Sequence, residues 1–273
     1  MKRILAVGVL LGFINLTFAQ HPAYRIAVQI DGLKDTTLLL GYHFGDKKYV
    51  SDTARVDSNG TAVFTGDSLL KGGIYLVILP EKSYFEMIVS DNQQFGVKTS
   101  KDKLFEDLKF TRSDENSAFV EYQKFMVEMQ KQNKELSDQM KDALNDSTKS
   151  AEIKERLNSI NTQVLTYWDN LIETHRGQFL AAMVKAMKNV DIPESNIPKN
   201  AKNYDSLLWV NSYQYNKVHF FDNIDFSDSR LLRTPILEGK INTYFDRVLI
   251  PQPDSIIPQV IYIIEKSKAS RDV

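Results

Sequence analysis

The chain reads as an α+β protein: an N-terminal antiparallel β-sandwich over residues 20–112, then an all-α domain over residues 113–273 built on a long helical hairpin. Three observations predict this. Apolar residues recur with period two from Tyr24 to about Phe110. Turn residues interrupt those runs at short, even intervals. At Ser113 the apolar period changes to steps of three and four.

The first strand is "YRIAVQI", with Tyr24, Ile26, Val28 and Ile30 on one face and Arg25 and Gln29 on the other. "TLLLGYHF" follows the "DGLKDT" turn. "TARVDSNGTAVFTG" reads as a hairpin around Asp57-Ser58-Asn59-Gly60, because Asn-Gly supplies the positive φ that tight turns need. "GGIYLVILP", "YFEMIVSD" and "QFGVKTS" complete the strands. Many short strands with no helix between them argue a sandwich.

Ser113 or Asp114 offers an N-cap, with acids in the first turn. Phe119, Tyr122, Phe125, Met126, Met129, Leu136 and Met140 then line one helix. After the polar break "NDSTKS", Ile153, Leu157, Ile160, Val164, Trp168 and Leu171 line a second. These narrow stripes predict packing seams of an antiparallel hairpin rather than cofactor contacts. Shorter helices are expected at about 178–189, 204–217, 236–249 and 255–268. Pro193, Pro198, Pro251 and Pro253 mark the breaks.

Lys2 and Arg3 precede the apolar run "ILAVGVLLGFINL", and small Thr17 and Ala19 stand before Gln20. That order predicts a secretory signal over residues 1–19, cleaved between Ala19 and Gln20, and so export to the periplasm or cell envelope. The run is shorter than the ~20 residues of a spanning helix, and no later segment is apolar enough to span. The chain has no cysteine, which removes both a disulfide framework and thiol chemistry. With 34 basic and 35 acidic residues it carries a formal charge of −1, which gives no electrostatic footprint for nucleic acid or an anionic membrane.

One stretch invites a chemical reading: His219–Phe245, "HFFDNIDFSDSRLLRTPILEGKINTYF". His219 with Asp222, Asp225 and Asp228 could be metal ligands. Yet zinc sites want several His or Cys, calcium sites want a glycine turn, and Asn223, Asp225 and Ser227 favour loops and caps. The structural alternative is specific. Phe220, Phe221, Ile224 and Phe226 anchor a loop, the acids cap helices or pair with Arg230 and Arg233, and Thr234 caps a helix with Pro235 first. No Gly-x-Ser-x-Gly elbow or phosphate loop occurs, so no catalytic, cofactor or metal residue is assigned.

"YRIAVQIDGLKDTTLLLGYHFGDKKYVSDTARVDSNGTAVFTGDSLLKGGIYLVIL" resembles the β-rich domain of unknown function at the N-terminus of many exported thiol–disulfide interchange proteins of the Bacteroidota. "FEMIVSDNQQFGVKT" and "FTRSDENSAFVEYQKF" continue the likeness. "HFFDNIDFSDSRLLRTPILEGKINTYFDRVLIPQPDSI" resembles the uncharacterised helical domain that follows it there. In those proteins a thioredoxin-like domain with a Cys-x-x-Cys motif comes next, and its positions do not occur in this chain. The resemblance implies a non-catalytic accessory module of an envelope thiol–disulfide oxidoreductase, with a thioredoxin-like domain or a protein client as partner. It also implies that the chain is the front part of a longer architecture. The apolar face of the last helix, Ile256, Ile257, Val260, Ile261, Ile263 and Ile264, is wide enough to want further cover, so self-association or ready proteolysis after about Pro253 is expected. Exported proteins of that lineage can carry O-glycans on Asp-Ser/Thr before an apolar residue. Thr53, Ser68, Ser206 and Ser255 fit that pattern, with turn and helix capping the equal alternative. Two other readings stay open: a stand-alone glycan- or peptide-binding module, and a metal-dependent hydrolase using residues 219–230.

Overall fold

A computed structural model describes residues 22–270, so the signal segment with its cut at Ala19 and Gln20 lies outside the described residues. The N-terminal part comprises β1 (Tyr24–Asp31), β2 (Thr37–Phe44), β3 (Lys47–Arg55), β4 (Thr61–Gly66), β5 (Gly73–Ile78), β6 (Tyr84–Val89), β7 (Gln94–Ser100) and β8 (Lys109–Thr111). They form two four-stranded sheets, ordered β4-β1-β7-β8 and β3-β2-β5-β6. The period-two pattern produces this core directly: Ile26, Val28, Ile30, Leu38, Leu40, Val77, Met87 and Phe95 point between the sheets and are buried.

Two details differ from the sequence expectation. The Asp57–Gly60 turn forms, with the Asp57 carboxylate accepting from Asn59 N and Thr61 N at 2.8 and 2.9 Å. Its flanking strands, however, do not pair as a hairpin ladder. β3 pairs with β2 and β4 pairs with β1, so the turn is a corner between sheets. A sheet-changing corner satisfies the same local turn hydrogen bonds as a hairpin, so short-range signals do not separate the two. The first sheet is also mixed, because β1 and β7 run parallel. β2, β3, β5 and β6 build the other sheet before β7 returns beside β1.

The helices are α1 (Asp114–Asp142), α2 (Ser147–Thr174), α3 (Phe179–Met187), α4 (Tyr204–His219), α5 (Ile236–Thr243) and α6 (Pro253–Ser267). Ser113 caps α1 by accepting from Asn116 N, and Asp146 caps α2 by accepting from Lys149 N. The far end of the α1–α2 hairpin has its own seam of Met129, Leu136, Ala143, Ile153 and Ile160, as the stripes predict. The expected helix over 236–249 is α5 followed by a π-helical turn, Tyr244–Val248. α5 starts at Ile236 with Pro235 at the cap. Thr234 still caps by side chain, accepting from Ile236 N at 3.2 Å.

The start of α1 joins the two parts. Val120 belongs to the sandwich core, whereas Phe119 packs with Ile74 and Ile88 of the second sheet in the helical core. Asn116 is buried. Its side-chain amide accepts from Ile88 N at 2.7 Å and donates to Ile88 O at 2.8 Å, as a neighbouring strand would at the free edge of β6. Next to it, Glu115 accepts from Leu180 N at 2.9 Å in the first turn of α3 and from the Ser90 hydroxyl. At Gly73 (φ +147°) the backbone of β5 runs so close to Arg233 that a Cβ would lie 2.2 Å from the Arg233 Cβ.

Candidate functional site

The 219–245 stretch is a structural join. Phe220, Phe221, Ile224, Phe226, Leu231, Leu237 and Tyr244 are buried together in the helical core. Phe221 makes edge-on contacts with Phe220, Phe226 and Tyr244 at centroid distances of 5.1, 5.5 and 4.7 Å. The Tyr244 hydroxyl donates to Lys217 O at 2.8 Å and lies 3.0 Å from the Gln259 side-chain amide, so it ties the end of α4 to the middle of α6.

The four candidate ligands are not brought to a common point. His219 Nδ1 lies 2.7 Å from Asp222, and the ring stacks on Tyr215 at 4.2 Å. Asp225 accepts from the hydroxyl and backbone N–H of Ser227, and these bonds hold its pKa below the usual carboxylate range. Asp228 makes a bidentate pair with Arg230, Nε to Oδ1 and Nη2 to Oδ2, both at 2.8 Å. That bond raises the Arg230 pKa. Among the described residues no group of three or more His, Cys, Asp and Glu side chains is placed to hold a metal ion. Among the described residues Arg233 pairs with no acid. It is buried, with its guanidinium carbon 6.0 Å from the Tyr42 ring centre.

A mostly apolar concave surface lies elsewhere, where α1 crosses the outer face of the second sheet. It is a groove of about 410 Å³. Its floor is Ile74, Phe119 and Met183, all buried; Tyr122, Met126, Met187 and Ile236 form the walls. Phe119 and Tyr122 stack at 6.2 Å, and the Tyr122 hydroxyl lies 3.7 Å from Met187 Sδ. Burial pushes the Tyr122 pKa up to about 12, so the phenol stays protonated. Glu86, Phe105, Gln123, Val127, Gln130 and Pro235 complete the lining, and Val127 is 55 % exposed. Glu86 lies 2.9 Å from His43 Nε2 and accepts from Gln123 at 3.4 Å. The side-chain oxygen of Gln123 is buried with no partner among the described residues. One acceptor of the groove, the Gln123 oxygen, therefore stands without a donor, whereas Glu86 is already partnered. Its residues come from β5, β6, the turn between β7 and β8, α1, α3 and the start of α5. Sequence reading assigned Phe119, Tyr122 and Met126 to packing seams, and only the crossing of α1 over the sheet shows that part of that stripe stays open.

The four candidate modification sites divide. Thr53, Ser68 and Ser206 are exposed. The Ser255 hydroxyl is enclosed at the start of α6 without a hydrogen-bond partner among the described residues, so a sugar there requires that turn to lift. Trp209 on α4 is 67 % exposed and stacks on Tyr213 at 5.6 Å, whereas Trp168 is half-buried against the helical core. No helix among the described residues is long and apolar enough to cross a membrane.

Residues 24–119 match a family model described as Domain of unknown function (DUF4369), and residues 128–273 match a second described as Domain of unknown function (DUF5106). No curated protein and no solved structure matches the chain.

Proposed function

We propose, from the premise that the chain belongs to the family described as Domain of unknown function (DUF5106), that it is a non-catalytic docking module of an exported thiol–disulfide oxidoreductase system in the cell envelope. The redox context and the location rest on the sequence resemblance described above. The docking role rests on the groove between sandwich and helices. Its occupant is an apolar segment of an unfolded client protein. Methionine and aromatic walls adapt to varied apolar side chains. The Gln123 side-chain oxygen lacks a donor among the described residues, and a backbone N–H or a basic side chain of an extended segment would bring one. A chain without cysteine performs no thiol exchange itself. Its contribution is to hold the client for a thioredoxin-like partner. The exposed Trp209–Tyr213 stack sits outside any cavity described above, so the glycan-binding alternative has less support than the peptide one.

The test is a titration of the purified chain with reduced, carboxymethylated lactalbumin, which stays unfolded. Saturable binding is expected. Val127→Lys, at an exposed rim position, should weaken it at least fivefold, and Leu144→Lys at the exposed tip of the hairpin should not. Absent binding, or equal effects of both substitutions, refutes the groove as the docking site.

A further inference from the structure

α6 packs on the body by one side only. Ile256, Gln259 and Ile263 face inward: the two isoleucines lie against the helical core, and Gln259 contacts Tyr244. On the opposite side Ile257, Val260, Ile261 and Ile264 are 56, 39, 54 and 52 % exposed. The spacing of this outer face carries information. Asp254, Ile257, Ile261, Ile264 and Lys268 follow one another in steps of three, four, three and four, which is the seam spacing of a coiled coil. Asp254 and Lys268 are exposed at the two ends of that seam.

We infer that the outer face of α6 pairs with the α6 of a second copy of this chain, antiparallel and centred on Ile261. The end charges select this partner and this direction. Antiparallel self-pairing about Ile261 places Asp254 opposite Lys268 of the other copy at both ends, and Ile257 opposite Ile264. It also opposes the helix dipoles. Parallel pairing would set Asp254 against Asp254 and Lys268 against Lys268, with like charges at each end. A pair of two-fold symmetric helices closes on itself, so the product is a dimer and not a filament. Lys268 also pairs with Glu265 on its own helix, but both groups are more than half exposed, and a surface pair of this kind offers little competition. The apolar part of the seam, Ile257 to Ile264, is about two turns long, well short of the ~800 Å² per partner of a standard interface. The dimer is therefore a concentration-dependent one.

The lack of cysteine makes the test clean, because one engineered thiol reports one position. Ile261→Cys should form a disulfide-linked dimer under mild oxidation. Ile257→Cys should cross-link with Ile264→Cys in a mixture more readily than with itself. Light scattering across a concentration series should show monomer passing to dimer. Asp254→Lys or Lys268→Asp alone should weaken that dimer several-fold, and the double reversal on one chain should restore it. Circular dichroism of each variant checks that the exposed substitutions leave α6 folded. A monomer at every concentration, preferential self-cross-linking of Ile257→Cys, or a dimer indifferent to the charge reversals overturns the proposal.

Discussion

Asn116→Ala removes one side chain and strands two buried backbone groups. In the native chain the Asn116 amide completes the hydrogen bonding of Ile88 at the edge of β6, with bonds of 2.7 and 2.8 Å, and Asn116 and Ile88 are each 1 % exposed. An alanine cannot reach Ile88, and a buried backbone N–H or C=O left without a partner costs about 1–3 kcal/mol. Ser113 loses its bond to the amide group but keeps the Asn116 N–H, so the cap itself survives. Some water entry at a sheet edge offsets part of the cost, which brings the expected loss to about 2–4 kcal/mol. Urea unfolding followed by helical and tyrosine signals measures it, as a lower midpoint. Because this contact couples β6 to α1, the two signals should coincide in the parent chain and separate in the variant. A loss below about 0.5 kcal/mol, within the usual scatter of surface substitutions, would refute the coupling role assigned to Asn116.

Phe221→Ala should cost about 3–5 kcal/mol in the same assay, since the ring is buried among Phe220, Phe226 and Tyr244, whereas His219→Ala, at a half-exposed ring, should change stability little; the reverse order would restore a chemical reading of that stretch. Gly73→Ala should lower the unfolding midpoint, because its Cβ meets Arg233 at 2.2 Å and sheet and turn must separate; an unchanged midpoint would mean that the turn yields freely. Burial raises Tyr24, Tyr75, Tyr122 and Tyr244 to about 12, above the ordinary value of 10.0, so the folded chain keeps protons that the unfolded chain releases. That contribution is complete below pH 10 and lost as pH rises towards 12. Melting temperature should fall across that window, with tyrosinate absorbance lagging until unfolding, and a full tyrosine titration near pH 10 in the folded chain would contradict it. The pure chain should show no insulin disulfide reduction, and thiol-dependent turnover would overturn the non-catalytic reading.

The alternation Tyr24, Ile26, Val28, Ile30 announced the first strand and its buried face, and the Met129–Leu136 and Ile153–Ile160 spacings announced the hairpin seam. These features were legible because burial of one face imposes a period on the chain. The pairing partners of β3 and β4 were not, since sheet membership depends on contacts remote in sequence. The three-residue β8 is too short to carry a period. Asn116 stands in the first turn of a helix, where a polar residue raises no question until β6 arrives beside it. The groove was hidden for a related reason. Phe119, Tyr122 and Met126 fit a packing stripe, and nothing local says where the packing stops.

Hydrogen exchange of the chain with and without the unfolded client tests the docking role most directly. The account predicts added protection confined to the segments that line the groove, around Phe119–Val127, Met183–Met187 and Pro235–Ile236, with His219–Asp228 unchanged. Protection centred on His219–Asp228, or on the exposed face of α6 alone, would contradict it.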